Sequence, residues 1–240
     1  MKITLAVNAV CDIGCKKPSN EDMILLHDIM FRDGKKKAEF NANDRVIIAI
    51  ADGVGGLSKG EIASEQVLKS LCGILANIPD DLANDELRNV FDTFCSETHA
   101  SLSGDMGSTL AGLFCYNNKL FRYHAGDSRI YRSRRGELER LTMDHSLRES
   151  GGQKNAPSNI ITNSIGGGSS AYLEFSGIEF PFFNNDVYLL SSDGMHDLVS
   201  LNEIHDLIDK PNAAELLADL SIKKGGKDNI SVVTITVKEK

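Results

Sequence analysis

Four acidic segments, far apart in the chain, share one local design. In RVIIAIADGVGGLSKG, residues 45–60, a charge-free apolar run ends in Asp52 and Gly53, and DVYLLSSDG, residues 186–194, repeats the arrangement with Asp193. NEDMILL reverses it, placing Glu21 and Asp22 ahead of an apolar run, and KDNISVVTITV places Asp228 ahead of another. Short runs rich in Val and Ile and closed by Gly read as core strands rather than helices, so these acids stand at strand ends. In an antiparallel sheet the start of one strand lies beside the end of its neighbour, and the four places are therefore expected on one sheet edge. A single Asp-Gly at a strand end is ordinary turn chemistry, whereas four coincident instances read as a site of five carboxylates. Gathered carboxylates raise one another's pKa, and burial penalises the charged forms further. A divalent cation answers both penalties, and an oxygen-only donor set selects magnesium or manganese over zinc or copper.

The elements that must hold these acids follow from the patterning. Strands are expected at 3–10, from 21 through 31, and over 45–52, followed by a helix from Ser58 that Pro79 ends and a second helix over 84–102. RDGKKKAE, residues 32–39, reads as a solvated hairpin tip. From Gly107 the runs GSTLAGLFCYN, KLFRYHA and SRIYRS form a meander broken by Asn-Asn, Gly-Asp and Arg-Gly turns. Residues 147–168 show little periodicity and read as a flap or a connector. Strands return at 173–180 and 187–192, then helices at 201–208 and 212–224, then a last strand at 230–237. Strands outnumber helices and the helices come in pairs, which predicts two packed antiparallel sheets covered by helices in a single domain spanning 1–240.

Composition narrows the function. With 240 residues, 41% hydrophobic and 25% charged, the chain has the make-up of a globular domain, and no apolar run is long enough to span a membrane. A net charge of −8 argues against nucleic acid as a partner. Five scattered cysteines, an odd number, without a secretory signal fit a reduced cytoplasm.

Read in order, KxxNED at 17–22, ADGVGG at 51–56, GExAS at 60–64, MGSTL at 106–110, AGDSRIY at 125–131, DHS at 144–146, SDG at 192–194 and DNIS at 228–231 resemble the metal-dependent type 2C protein serine/threonine phosphatases, in particular their compact bacterial branch. The resemblance runs from about Asp12 to Val237 and implies an α+β fold, a four-layer α-β-β-α sandwich. It implies that Asp52 bridges two Mn or Mg ions, with Glu21 and the Gly53 carbonyl on one and Asp193 and Asp228 on the other, and that Asp22 acts through a bound water. It places Asp105 near a ligand for a third, weaker ion. A water activated between the ions is then the nucleophile. The substrates implied are phosphoproteins, made by a serine/threonine kinase, and the chain is expected to work as a monomer.

Two departures stand out. Lys17 occupies the place of an arginine that grips the substrate phosphate in the family, giving charge without a bidentate fork, with Lys16 beside it. Val54 stands where many eukaryotic members carry a histidine. Gly53, Gly55 and Gly56 read as clearance for backbone near a metal. Asp127 and Arg129 read as a buried pair bracing the meander, and His145 as a packed loop residue. The competing functions are a phosphatase-like binding module without turnover and a structural cation-binding domain. Retention of every metal carboxylate favours the enzyme over the first, and Lys17 with the glycine clearance favours it over the second.

Overall fold

The computed structural model describes residues 2–54, 59–75, 77–102, 104–150, 152 and 160–239. Along these run β1 (Ile3–Asp12), β2 (Asp22–Leu26), β3 (Ile29–Phe31), β4 (Gly34–Asn41), β5 (Val46–Val54), α1 (Gly60–Leu75), α2 (Asn84–Ser101), β6 (Gly107–Ser108), β7 (Leu110–Tyr116), β8 (Lys119–Ala125), β9 (Arg129–Arg134), β10 (Glu137–Arg140), β11 (Ile165–Gly166), β12 (Glu174–Gly177), β13 (Val187–Ser191), α3 (Asp193–His196), α4 (Leu201–Ile208), α5 (Ala213–Lys223) and β14 (Ile230–Glu239). One sheet has the order β10-β9-β13-β14-β1-β4. The other runs β11-β6-β5-β7-β8-β12, with β2 also paired to β5 and β3 to β2. Every pairing is antiparallel.

The apolar run of β5 is continuous because both of its faces are buried. Val46, Ile48 and Ile50 point between the sheets, where they meet Leu5, Val7, Leu190 and Val233. Ile47, Ala49 and Ala51 point the other way, against Val67 and Leu71 of α1 and Phe91 of α2. On the far side α4 and α5 cover the first sheet through Ile204, Leu217 and Ala218. The result is the expected α+β sandwich of four layers, helices outside and two sheets within.

The structure changes several of the expected elements, and the strand expected from 21 through 31 is the antiparallel hairpin β2–β3. The lysine-rich stretch is β4, an edge strand paired with β1 over eight residue pairs, and not a hairpin tip. With one face in solvent it carries almost no apolar signal, and lysines on an edge discourage further strand pairing; Lys35 reaches Glu215 of α5 at 2.8 Å. After β13 the chain turns at once into the single-turn helix α3, too short to show a period.

Gly112 of β7 lies opposite Tyr123 of β8, whose buried ring folds over it so that a Cβ there would overlap the ring. That ring position lets the Tyr123 hydroxyl donate to the Ile48 carbonyl of β5 at 3.1 Å. Gly112→Ala is therefore expected to destabilise by about 1–3 kcal/mol, as overpacking does. Urea unfolding measures this, and an unchanged midpoint would show that the ring moves freely.

Candidate metal centre

The predicted acids do meet, in a different arrangement from a single sheet edge. Asp22 and Asp52 are direct partners across β2 and β5 in one sheet. Asp193 follows β13 and Asp228 precedes β14, which are neighbours in the other sheet. The cluster thus sits at one end of the sandwich with two strand ends contributed by each sheet. The Ser192 hydroxyl joins the halves by donating to Asp22 Oδ2 at 2.7 Å.

Electrostatics follow from that convergence. Burial, then the charges of Asp22 and Asp193, holds the Asp52 carboxyl well above its ordinary range. Burial pushes Asp22 up to about 7 against the lowering bonds from Ser192 and Ser231, and pushes Asp193 up to about 6 with Asp228 adding repulsion. Asp22 Oδ1 is buried without a hydrogen-bond partner.

The backbone carrying these acids is pinned by neutral groups and one arginine. Asn229 accepts from Glu21 N at 2.8 Å and donates to the carbonyls of Ile13 and Ser19 at 3.0 Å each, stitching the loop before β2 to the start of β14. Ser64, buried in α1, donates to the Glu21 carbonyl at 2.6 Å, which accounts for the serine of GExAS. Arg32 donates to the carbonyls of Asn20, Asp22 and Glu61 at 2.9, 3.1 and 2.7 Å. On the other side Thr109 clasps Asp52: its N–H donates to the Asp52 carbonyl at 2.8 Å and its hydroxyl accepts from Asp52 N at 3.1 Å. Gly60 has a stricter role. An added Cβ there would stand 2.7 Å from Glu21 Oε1 and 2.8 Å from the Gly53 carbonyl oxygen, so both oxygens crowd the same point beside Gly60.

Lys17 reaches the same place, its Nζ 2.6 Å from Asp228 Oδ1, while Lys16 is exposed. Burial would lower the Lys17 pKa, but the bond and charge of Asp228, with Glu21 and Asp52, more than offset this and hold it raised. Asp105 lies in an exposed turn before β6, and it is not among the charges that act most strongly on Asp52 or Asp193. Asp127 is. Buried in the turn after β8, it acts on Asp52, and burial followed by the charge of Asp193 pushes its own carboxyl up to about 8. Its expected partner pairs elsewhere: Arg129 grips Asp144 of DHS through Nε at 2.9 Å and Nη2 at 2.6 Å. The signal for Asp127 was available, since AGD is a third aspartate just beyond a strand end. Gly55, Gly56 and Ser58 fall outside the described residues, as do 151 and 153–159 within the segment 147–168.

The donors fit a hard divalent cation: carboxylates and a carbonyl, one orphaned oxygen, and charge that repels itself when unshared. The comparisons agree. A family model described as Protein phosphatase 2C matches residues 30–220. The chain belongs to the protein phosphatase 2C family. Over 257 residues it is 30% identical to the protein phosphatase PhpP of Streptococcus pneumoniae, covering 98% of both chains. The S. agalactiae serine/threonine phosphatase superposes with a TM-score of 0.81 at 26% identity, covering 98% of this chain and 100% of that one. The catalytic domain of PstP, solved in complex with two manganese ions, gives 0.76 at 27% identity and 99% and 100% coverage.

A pH dependence follows for this phosphatase 2C domain. Asp22, Asp193 and Asp127 all titrate higher folded, at about 7, 6 and 8, than the ordinary 3.8 expected unfolded. Across that window the folded state binds more protons than the unfolded one, so stability falls as pH rises. Chelator-treated protein should melt lower at pH 8 than at pH 5, and manganese at pH 8 should reverse the loss. A melting temperature that is flat or rises without metal contradicts this.

Proposed function

We propose that the chain hydrolyses phosphoserine and phosphothreonine in proteins, using two Mn or Mg ions held by the acid cluster. Asp52 lies between the two positions, Glu21 and the Gly53 carbonyl hold one, Asp193 and Asp228 hold the other, and Asp22 acts through a water that its unpartnered Oδ1 accepts from. The observation that carries this reading is the convergence of the buried Asp22 with the half-buried Asp52 and Asp193 at one end of the sandwich, where their raised carboxyls are relieved only by protons or cations. The approach of Glu21 Oε1 and the Gly53 carbonyl to the same point beside Gly60 supports their sharing one ion. Bound cations at such a site lower the pKa of water and offset charge on a phosphoryl group. The protein's part is to hold the carboxylates at fixed spacing through Thr109, Asn229 and Ser64, and to bring Lys17 to the rim, where its ammonium meets the substrate phosphate.

The reading extends to a single phosphatase domain over 1–240, acting as a monomer on phosphoproteins supplied by a serine/threonine kinase. Coverage of nearly the full length of PhpP supports the single domain. Five free cysteines support a reducing compartment such as the cytoplasm, and among the described residues no helix is long and apolar enough to cross a membrane. Complete carboxylate retention speaks against a silent binding module.

Phosphate release from a phosphothreonine peptide tests the reading. It should require Mn or Mg and stop in excess chelator. Asp52→Asn or Asp193→Asn should lower turnover by at least ~100-fold, the upper end of what losing even an outer-shell partner costs a metal site. Full activity in chelator, or none with either ion, refutes the assignment.

Lys17→Arg adds a second donor to phosphate, and a charge-assisted hydrogen bond of about 1.5–3 kcal/mol corresponds to roughly tenfold or more in binding. KM should fall accordingly, and Lys17→Ala should raise it. An unchanged KM in both variants removes Lys17 from the substrate site.

A further inference from the structure

The motifs AGDSR and DHS lock into each other residue by residue. Arg129 grips Asp144, and His145 holds Gly126 from both sides: its backbone N–H donates to the Gly126 carbonyl at 2.8 Å, and its ring Nδ1 accepts from Gly126 N at 3.2 Å. The ring is itself fixed. Asn163 Nδ2 donates to the same Nδ1 at 2.8 Å, while Asn163 is oriented by Tyr172, whose N–H donates to Oδ1 at 3.2 Å and whose carbonyl accepts from Nδ2 at 2.9 Å. Gly126 has a φ of +105°, and a Cβ there would stand 2.7 Å from Thr109. On the other side of Asp127, Ser128 shares a 2.7 Å hydroxyl bond with Thr109, the residue that clasps Asp52.

His145, His124 and Glu174 bring possible donor atoms within 4.8 Å of one another, and two imidazoles with a carboxylate suit zinc. The hydrogen bonds decide against that use. Nδ1 of His145 faces two N–H donors, so the neutral ring carries its proton on Nε2, which lies 3.4 Å from Glu174 Oε1 without a hydrogen bond to it. A ligating histidine needs the reverse, with its lone pair on the metal and its other nitrogen donating.

The geometry points to His145, held by Asn163, as a positioning residue that fixes the Gly126 turn and so aims Asp127 at the cation site. This rests on the cation-dependent reading above. Asp127 is set between two anchors, His145 through Gly126 and Thr109 through Ser128, and only the second is tied to the Asp52 strand. Loss of the ring leaves Gly126 N without its acceptor and that side of the turn held by the backbone bond alone, so the carboxylate can shift within the cluster.

Manganese binding to the full chain, measured by calorimetry or by the signal of free Mn(II), tests this without reference to turnover. His145→Leu should weaken binding roughly tenfold, as loss of an outer-shell partner does. His145→Asn, whose Oδ1 can stand in the place of Nδ1, should restore most of the affinity. In an Asp127→Asn background His145→Leu should weaken binding no further, because the two changes act through one carboxylate. If His145→Leu does not fold, Asn163→Ala must show the same dependence on Asp127. Equal weakening in both backgrounds, or no weakening at all, overturns the inference alone. A wild-type chain that binds no manganese overturns it together with the phosphatase reading. One equivalent of zinc retained by the wild type and lost from His124→Ala would replace it with a metal site.

Discussion

Mutual repulsion among clustered, largely desolvated carboxylates is the constraint on which the rest of the structure depends. Two sheets that merely closed a hydrophobic core would bring any residues to their common end; here they bring Asp22, Asp52, Asp127 and Asp193. Each is held above its ordinary pKa first by burial and then by its neighbours, so the folded state is at odds with itself unless protons or cations are shared. The arrangement costs stability in the metal-free chain, and the large apolar core between and outside the sheets supplies the margin to hold it.

What keeps such a cluster from dispersing is mainly a set of bonds to the backbone that carries it. The side chains of Asn229, Ser64, Arg32 and Thr109 act on backbone groups of residues 19–22 or 52, while among neutral groups Ser192 and Ser231 reach the Asp22 carboxyl and Asn229 N reaches Asp228. Neutral amides and hydroxyls hold peptide groups at little electrostatic cost. A lysine or arginine bonded to the acids would instead satisfy them and remove the need for an ion. The motif residues beside the acids, serine in GExAS, threonine in MGSTL and asparagine in DNIS, are thus explained as much by what they leave unpaired as by what they bind.

The core of this design was legible in the sequence wherever two faces of a strand are buried. β5 and β13 announce themselves as unbroken apolar runs, and the acids at their ends follow. β4 was not legible, because an edge strand with one solvated face carries three lysines where a pattern would need alternation. Asp127 and Arg129 were misread for a related reason: an acid and a base two residues apart where a strand begins read as a pair, yet Asp127 lies in the turn before β9 and the partner that completes each came from a distant segment, Asp144 for the arginine and the acid cluster for Asp127. Propensity and spacing report what is adjacent along the chain, and a pairing fifteen residues away depends on how the meander folds back.

Lys17 is the exception to the rule that cations stay off the cluster, and the magnitude of its contact explains why it can be tolerated. Its bridge to Asp228 is short, 2.6 Å, but both side chains are more than a third exposed. Pairs of that kind contribute about 0–1 kcal/mol. The loop carrying Lys17 does not depend on the bridge, since Asn229 already ties Ile13, Ser19 and Glu21 to β14, and Cys15 N donates to the Gly226 carbonyl at 2.8 Å. The ammonium is therefore a movable charge on a fixed loop. On the reading proposed above, it would leave Asp228 for an arriving phosphate without any change in the backbone. A bidentate guanidinium would grip either partner more firmly. On that same reading, lysine at this position trades strength of grip for ease of exchange at a rim where both partners carry negative charge.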